Sequence, residues 1–358
     1  MVKESSPMVG GDGPNSYAQN SSYQKEGADA AKELVCEGIK KNLDFENPNF
    51  DKLTTFTVAD LGCSTGPNTF FAVKYIIEAV NHKYHTQLQN PPPLEFQVLF
   101  NDQTDNDFNT LFKSLSSYQN YFAAGVPGSF YSRLFPKSSI HFVNTFYALH
   151  WISKIPREIL EDPALNKESI CCSGLVKEAA EAYLNQFKND IDSFLNARAE
   201  EVVGGGLMAM IIGGRRNGIL MFQTPAGLLY QFLGDSLRDM AKLKVISEEK
   251  VDNFNLPLYY SSPKELEEII KGNGHFSIEN LHISDRQVKY DPETSVKFSV
   301  GTRSVFQGLL KEHFGVGENI LDQIFHNLAK KIADNLSSFH ELNHNNTELF
   351  ILLRRNIS

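Results

Sequence analysis

The most informative segment of this chain is Phe56-Thr57-Val58-Ala59-Asp60-Leu61-Gly62-Cys63-Ser64-Thr65-Gly66-Pro67-Asn68. Its first half is largely apolar, which predicts a short buried strand. Gly62 and Gly66 permit a tight turn that brings the backbone close to a ligand, and Pro67 suits the first position of a helix. The segment therefore predicts a strand, a turn and a helix whose N-terminal N–H groups face an anionic ligand group.

The spacing of the two glycines distinguishes between nucleotide cofactors. A dinucleotide-binding turn has the pattern G-x-G-x-x-G. Here Asp60 directly precedes the turn and the pattern is D-x-G-x-x-x-G, which favours S-adenosylmethionine (SAM) bound by a class I methyltransferase. Because glycine turns after strands are common, an NAD-dependent dehydrogenase stays open as an alternative, and thermal shifts with SAM and with NAD would separate the two.

A second strand strengthens the prediction of a nucleotide site. Apolar residues alternate from Leu94 to Phe100, and the strand stops at Asn101-Asp102. An acidic residue at the end of the second strand is placed to accept hydrogen bonds from ribose hydroxyls. The pattern therefore assigns Asp102 to the ribose.

Composition excludes several functions. The 358 residues carry a net charge of −9, whereas a nucleic-acid-binding domain is usually basic. The longest strongly apolar run, 206–212, is too short to span a membrane. The four cysteines lack the spacing of a metal site. We expect a cytoplasmic protein with no nucleic-acid partner and no membrane association.

Strand and helix patterns alternate along the chain, which indicates an α/β fold. Strands are predicted at 56–61, 95–100, 139–143, 206–212, 276–283 and 348–354, the last one antiparallel, and 125–130 is predicted as a loop. Helices are predicted at 20–43, 69–84, 105–115, 176–202, 226–242 and 305–339. We expect a Rossmann-like α/β core formed by 1–155, 173–221, 275–300 and 346–358, and a mainly helical cap formed by 156–172, 222–274 and 301–345.

Two further segments are candidates for the site. Residues 16–24 are too polar and aromatic for plain core packing and are either a lid or a solvated lead-in to the first helix. Residues 144–151 follow a core strand at its carboxyl end, where α/β sheets bind ligands. That segment contains His150 and Trp151, the only tryptophan of the chain.

These motifs together resemble the plant SABATH family of SAM-dependent methyltransferases. The matching segments are 10–13 with 16–17, 59–68, 101–102 with 106–109, 126–131, 147–151 and 254–257. The family methylates carboxylates of small plant acids or ring nitrogens of xanthines. The resemblance implies a class I SAM-dependent methyltransferase core with a helical cap domain, and the chain looks nearest to the loganic acid and farnesoic acid carboxyl methyltransferases.

The resemblance also implies roles for individual residues. The expected SAM-binding residues are Tyr17, Asp60, Cys63, Asn68, Asp102, Gln103, Ser129, Phe130 and Phe146. The expected acceptor-binding residues are Gln24, Tyr147, His150, Trp151, Tyr230 and Tyr259, with Gln24 and Trp151 at the carboxylate. Tyr230 stands where other members have Trp or His, which leaves the shape of the far pocket open.

Some relatives hold Mg²⁺ through positions that match Asn166, Asp252, Phe254 and Asn255. A set with one carboxylate is a weak ligand set for Mg²⁺, and the alternative is that these residues cap loops. The resemblance alone predicts a homodimer.

The chemistry agrees with a carboxyl acceptor. A carboxylate is ionised at neutral pH because its pKa is about 4, so methyl transfer to it requires no general base. Neutral donors suit it better than a strong cation, which would stabilise the ground state more than the transition state. The Gln24 amide and the Trp151 indole N–H are such donors.

The sequence leaves two alternatives within the family open. One is a xanthine N-methyltransferase, which Gln24 disfavours because relatives of that kind tend to lack Gln there. The other is a SAM-binding member without turnover. The acid that is methylated is not specified by the sequence.

Overall fold

The structure is a computed structural model that describes residues 7–115, 120–166 and 169–357. Residues 1–6, 116–119 and 358 of the expected core and residues 167–168 of the expected cap lie outside these ranges. The fold is built on a seven-stranded sheet with the strand order β3-β2-β1-β4-β5-β7-β6. The strands are β1 (Thr55–Leu61), β2 (Glu95–Asp102), β3 (Phe122–Pro127), β4 (Ile140–Phe146), β5 (Val202–Gly214), β6 (Phe276–Asp285) and β7 (Thr347–Arg355).

The first five strands are parallel, and the last strand enters the sheet in the opposite direction. β1 pairs with β2 along its whole length and with β4 over residues 58–60, so it is central in the parallel part. β7 lies between β5 and β6 and is antiparallel to both. The expected antiparallel last strand and the α/β fold class are thus confirmed. The carboxyl ends of β1, β2 and β4 meet at one edge of the sheet.

Helices cover both faces of the sheet and build a separate layer beyond its edge. They are α1 (Tyr17–Asn20), α2 (Ser22–Asn42), α3 (Asn68–Gln87), α4 (Phe108–Lys113), α5 (Arg157–Glu161), α6 (Lys177–Glu201), α7 (Pro225–Lys242), α8 (Glu248–Asp252), α9 (Pro263–Asn273), α10 (Pro292–Phe314), α11 (Glu318–Asp334) and α12 (Leu336–Leu342). No helix in the described ranges is long and apolar enough to cross a bilayer.

Three apolar clusters hold these layers together. One face of the sheet packs against α2 and α3, through residues such as Val35 and Ile76. The other face packs against α6 and α9. A third cluster, formed by α7, α8, α10, α11 and α12, is the core of the helical layer, which we call the cap.

Two predicted segments differ from the sequence-based expectation, and the helices α5, α8 and α9 were not predicted. Residues 122–127 form β3, although 125–130 was predicted as a loop, because the small residues Ala123, Ala124 and Gly125 have low β-propensity and pair along β2 only in the folded sheet. The single helix predicted over 305–339 is three helices. Gly315, with φ of 69°, ends α10 in the left-handed conformation that favours glycine.

The expected division into core and cap remains an interpretation, and two helices refine it. Leu266 and Ile270 of α9 belong to the cluster on the sheet, although 222–274 was assigned to the cap. α10 begins at Pro292, inside the range assigned to the core.

A fully buried ion pair fixes the loop that follows β3. Arg198 donates from Nε to Glu201 at 2.7 Å, and neither side chain is exposed to solvent. The remaining guanidinium nitrogens donate to the carbonyls of Phe130 and Ser132. Glu201 Oε1 accepts the N–H groups of residues 134 and 135. The two charges thus satisfy the backbone polar groups of this loop.

We expect Arg198→Met to lower the free energy of unfolding by about 3–5 kcal/mol, because it leaves the Glu201 carboxylate buried without its partner. Urea denaturation followed by circular dichroism measures the change. Arg133→Met is the matched control: its ion pair with Glu200 is about half exposed, and exposed pairs contribute roughly 0–1 kcal/mol. Equal effects of the two substitutions would contradict the prediction.

Candidate active site

The turn after β1 is tight and strained, and side chains from the neighbouring strand hold it. Gly62 has φ of 81°, and a Cβ there would lie 2.5 Å from the Cβ of Ala148. Ser64 also has a positive φ, of 51°, which is uncommon for a residue other than glycine. Its N–H donates to Asp102 at 2.7 Å, and its carbonyl accepts from Asn106 at 3.1 Å. The contacts of Ser64 with Asp102 and Asn106 therefore hold the turn in this conformation.

Asp60 lies beneath this turn with both oxygens engaged by the protein. Asn144 Nδ2 donates to one oxygen at 2.7 Å, and the Thr69 hydroxyl donates to the other. Burial raises the pKa of Asp60 to about 6, although the hydrogen bonds from Thr69 and Asn144 oppose this rise. Because both oxygens have protein donors, Asp60 is suited to position the turn and the start of α3.

A narrow cleft opens above the turn. Tyr17, Asp60, Cys63, Asn68 and Phe146, five of the expected SAM-binding residues, line it. Three buried polar atoms around this cleft have no hydrogen-bond partner among the described residues. They are Ser64 Oγ, Asn144 Oδ1 and Gln24 Oε1. Buried polar groups normally have partners, so these atoms fit a polar cofactor such as SAM.

The other four expected SAM-binding residues lie beside the cleft. Asp102 ends β2, and its second oxygen accepts the N–H of Gln103 at 2.8 Å. Asn101 Nδ2 donates to the carbonyls of Val126 and Gly128, which brings the following loop towards the turn. That loop carries Ser129 and Phe130. The Phe130 ring lies 4.0 Å from where a Cβ of Gly62 would stand.

Asn68 has a partner that the sequence did not suggest. Its Nδ2 donates to the Ser21 carbonyl at 3.2 Å and to the Ser21 hydroxyl at 2.9 Å. Ser21 lies between α1 and α2, within the segment that was either a lid or a solvated lead-in. The contact favours a lid, because it ties this segment to the start of α3 over the cleft.

A larger cavity of about 700 Å³ adjoins the cleft and extends under the cap. Tyr147, His150, Trp151 and Tyr230 line it, as the resemblance implies. Tyr259 lies elsewhere: its ring packs against Phe187, and its hydroxyl contacts Glu265 in the sheet-side core. The next residue, Tyr260, lines the cavity instead.

Aromatic rings form part of the wall of the cavity. The Trp151 ring lies 5.6 Å from the Phe306 ring, and the Trp151 backbone forms an isolated antiparallel bridge with Leu258. The hydroxyls of Tyr230 and Tyr260 are 2.8 Å apart. Core and cap thus both contribute to this wall, which suits a largely apolar ligand.

His150 is a buried neutral side chain on the same wall. Burial lowers the pKa of His150 to about 4. Its Nδ1 has no partner among the described residues, and its ring lies 5.4 Å from the Tyr260 ring. A neutral imidazole with a free nitrogen can hydrogen-bond a ligand without adding charge.

Three residues line both the cleft and the cavity. They are Tyr17 and Gln24 from the N-terminal segment, and Tyr147 from the end of β4. We call the place where the two spaces meet the junction. A group bound in the cleft and a group bound in the cavity face one another only at the junction.

The positions that match the Mg²⁺ ligands of some relatives make the hydrogen bonds of loop-capping residues. Asn166 Nδ2 donates to Asn255 Oδ1 at 2.7 Å and to the Ser169 carbonyl at 3.2 Å. Phe254 is buried in the cap core, and Asp252 is exposed and is the one carboxylate of the group. No three His, Cys, Asp or Glu side chains come together as a metal site within the described residues.

Several residues of the site were not identified from the sequence. Asn144 and Thr69, which hold Asp60, carry no motif of their own. Tyr259 and Tyr260 are adjacent residues of the same type, so the sequence does not show which ring faces the cavity; the local backbone conformation decides it. Glu348 lines the cavity from β7, far from the other residues in sequence, and no local pattern indicates it.

Comparisons with known proteins agree with this geometry. The family model described as "SAM dependent carboxyl methyltransferase" matches residues 3–356. Loganic acid O-methyltransferase of Catharanthus roseus is 46% identical over 98% of this chain and 95% of its own length. Farnesoic acid carboxyl-O-methyltransferase of Arabidopsis thaliana is 45% identical over 82% of this chain and 85% of its own.

A solved structure of loganic acid methyltransferase with SAH superposes with a TM-score of 0.93 at 45% identity. It covers 98% of this chain and 99% of its own. The fold class and the family resemblance stated from the sequence are confirmed.

We expect the His150 ring to titrate with a midpoint near 4, below its usual 6.5. The neutral form is favoured in the fold, so its contribution to stability is full above pH 6.5. That contribution is lost as the pH falls from 6.5 through 4, because the unfolded state then binds the proton first. An NMR titration measures the midpoint, with the signal assigned by its loss in His150→Gln. A midpoint of 6 or higher would contradict the burial argument.

Proposed function

The chain belongs to the family of SAM-dependent carboxyl methyltransferases, and we propose that it converts the carboxylate of a small plant acid to its methyl ester. One observation carries the proposal. Tyr17, Gln24 and Tyr147 line both a polar cleft above the strand–turn–helix motif and a large aromatic cavity under the cap. The junction is therefore a place where a cofactor and an acid can face one another.

The cleft suits SAM because of the groups that its walls offer. When bound, SAM supplies a methyl group on a positively charged sulfur, which a carboxylate oxygen can accept directly. Each oxygen of Asp102, at the end of β2, accepts one backbone N–H and retains a lone pair for a ribose hydroxyl. The buried Ser64 Oγ and Asn144 Oδ1 have no partner among the described residues. The N-terminal segment covers the cleft and limits the access of water.

The residues at the junction suit an ionised acid. A carboxylate needs no base at neutral pH, since its pKa is about 4. Gln24 supplies a neutral amide at the junction: its Nε2 group can donate to the acid, while its buried oxygen has no partner among the described residues. Trp151 supplies an indole N–H from the wall. Alignment of this kind can contribute roughly 7–11 kcal/mol to lowering a barrier.

Neutral donors are matched to the change of charge in the reaction. The acceptor oxygen loses negative charge as it reacts, so a strong cation beside it would stabilise the acid more than the transition state. Among the described residues that line the cavity, the one cation is Lys297, which pairs with Glu293 at 2.7 Å. Apart from Lys297 and the carboxylates of Glu26 and Glu348, the wall offers neutral polar groups and aromatic rings.

The cavity volume of about 700 Å³ admits acids larger than a single aromatic ring, so the acid has to be found by assay. Labelled-methyl transfer from SAM to a panel of plant acids identifies it. The panel includes farnesoic, loganic, salicylic and jasmonic acids and a xanthine. Preferred methylation of the xanthine would support the N-methyltransferase alternative, and no turnover with any compound would support a SAM-binding member without activity.

We expect Trp151→Phe and Gln24→Ala each to lower kcat/KM about ten- to a hundredfold, because each removes a hydrogen bond to a charged acceptor. SAM affinity should change little in Trp151→Phe, since Trp151 lines only the acceptor cavity. Steady-state kinetics on the best acid of the panel and calorimetry with SAM measure both effects.

The matched control for the amide is Gln87→Ala, whose side chain donates to Asp44 on the surface at the end of α3. The double variant Trp151→Phe/Gln24→Ala should lose less than the two single losses combined, because both residues align one carboxylate. Near wild-type kcat/KM in both single variants would refute these roles.

We expect Asp102→Ala to weaken SAM binding about ten- to a hundredfold, the value of a hydrogen bond to a charged group. The substitution also removes the acceptor of the Ser64 N–H and so loosens the turn. Calorimetric titration with SAM gives the affinity, and Asp105→Ala, beyond the end of β2, is the control. Unchanged affinity in Asp102→Ala would overturn this placement of the cofactor.

The family resemblance further supports a homodimer. Light scattering at micromolar protein should give twice the mass of one chain. The mass of a single chain would show that this expectation is wrong.

A further inference from the structure

A buried ion pair stands behind the junction and has no part in the residue roles given above. Arg286, in the connection between β6 and α10, donates to Glu348 Oε1 on β7 at 3.0 Å. The Arg286 side chain is 11% exposed and that of Glu348 is 7% exposed. Glu348 lines the acceptor cavity, whereas Arg286 lies behind it. A carboxylate in the wall of a cavity that accepts an acid requires an explanation.

Arg286 also holds the first turn of α2. Its Nη1 donates to the Tyr23 carbonyl at 2.7 Å, and its Nη2 donates to Glu26 at 2.8 Å. The guanidinium lies 3.9 Å from the centre of the Tyr23 ring. Gln24 follows directly in this turn, so Arg286 fixes the backbone from which the Gln24 side chain reaches the junction.

Glu348 fixes the other side of the junction. The Tyr147 hydroxyl donates to Glu348 Oε1 at 2.7 Å. Tyr147 has φ of 58°, an outlying conformation for a bulky residue. Such a conformation persists where the surroundings determine it and is frequent at functional sites. Its N–H donates to the Ile211 carbonyl at 2.8 Å, so both ends of the residue are held.

Gly27 shows how closely α2 approaches this group. A Cβ at this position would lie 1.6 Å from the Tyr147 hydroxyl and 3.0 Å from Glu348 Oε2. Glycine inside a helix is unfavourable, and here it leaves the space that the Tyr147 hydroxyl occupies. The helix, the tyrosine and the carboxylate therefore form one packed unit with Arg286.

We propose that Arg286 is a positioning residue for methyl transfer that neutralises the Glu348 carboxylate in the wall of the acceptor cavity and so permits an anionic acid to bind at the junction. The inference rests on the proposed function. Without Arg286, the Glu348 charge repels a second carboxylate in a buried space, where such interactions are stronger than in water. Glu348 itself orients Tyr147. The cavity can hold the negative charge of Glu348 beside an acid because the Arg286 cation compensates that charge.

The charge argument predicts a difference between an acid and its own ester. Arg286→Met removes the cation and leaves a similar volume. Binding of the acid should weaken about ten- to a hundredfold, as when one partner of a buried charge pair is removed. Binding of the neutral methyl ester should change less than about threefold, because the ester carries no charge for Glu348 to repel. A purely structural role would weaken both ligands alike.

Calorimetry measures the dissociation constants of an acid and of its methyl ester. The pair is farnesoic acid and methyl farnesoate, or the panel acid with the highest kcat/KM and its ester. Wild type, Arg286→Met, Glu348→Gln and the double variant Arg286→Met/Glu348→Gln are compared. The double variant should recover most of the acid binding, since the one carboxylate left without Arg286, that of Glu26, is 70% exposed and is screened by solvent. Glu348→Gln should bind the acid no more weakly than wild type, because Gln can still accept from the Tyr147 hydroxyl. If Arg286→Met does not fold, the double variant and Glu348→Gln provide the test.

Arg303→Met is the matched control in the cap. Arg303 is 9% exposed and pairs with Glu318 and Asp322, and its side chain is outside the lining of the cavity. It should leave the acid-to-ester ratio unchanged. Equal losses for acid and ester in Arg286→Met, or no recovery in the double variant, would overturn the inference. Failure of the wild type to methylate any acid would refute the proposed function, while the binding ratio would still test the ion pair.

Discussion

The hydrogen bond from the Ser64 N–H to the Asp102 carboxylate is the contact on which the cleft is built. It joins the turn after β1 to the end of β2 and holds Ser64 in a left-handed conformation that the residue would not adopt freely. Below it, Asn144 at the centre of β4 and Thr69 on α3 bind Asp60. Two groups of hydrogen bonds, contributed by three neighbouring strands and one helix, therefore hold the turn below the cleft.

The N-terminal segment forms the roof of the site and is held from two sides. Asn68 binds Ser21 from the start of α3, and Arg286 binds the Tyr23 carbonyl from the connection after β6. The roof contributes Tyr17 and Gln24 to the junction, while the floor contributes Tyr147. The junction therefore forms only when the N-terminal segment packs against α3, the connection after β6 and the end of β4.

Two buried carboxylates near the site are stabilised in different ways. Asp60 has neutral hydrogen-bond donors, and its pKa rises to about 6 because burial outweighs those bonds. Glu348 has the Arg286 cation as its partner. The difference suits their surroundings, since Asp60 stands under the cofactor cleft and Glu348 faces the space for an anionic acceptor. Unpaired charge in that space would oppose binding, whereas paired charge can organise Tyr147 without that cost.

Local pattern predicted the α/β core and the motif that opens the cleft, and the family resemblance selected a class I methyltransferase over a dehydrogenase. Glycine spacing, strand alternation and a polar strand end are properties of neighbouring residues, so they appear directly in the sequence from Asp60 to Asp102. Strand β3 was missed because its small residues form a strand only through pairing with β2.

Folding decided the choice of Tyr260 over Tyr259, the shared lining of the junction and the Arg286–Glu348–Tyr147 group. The members of these groups are separated by up to about two hundred positions and leave no periodic signal in the sequence. Contacts over such distances are created by packing of the sheet, the cap and the N-terminal segment, and this packing is what turns a recognisable cofactor motif into a site with a particular acceptor pocket.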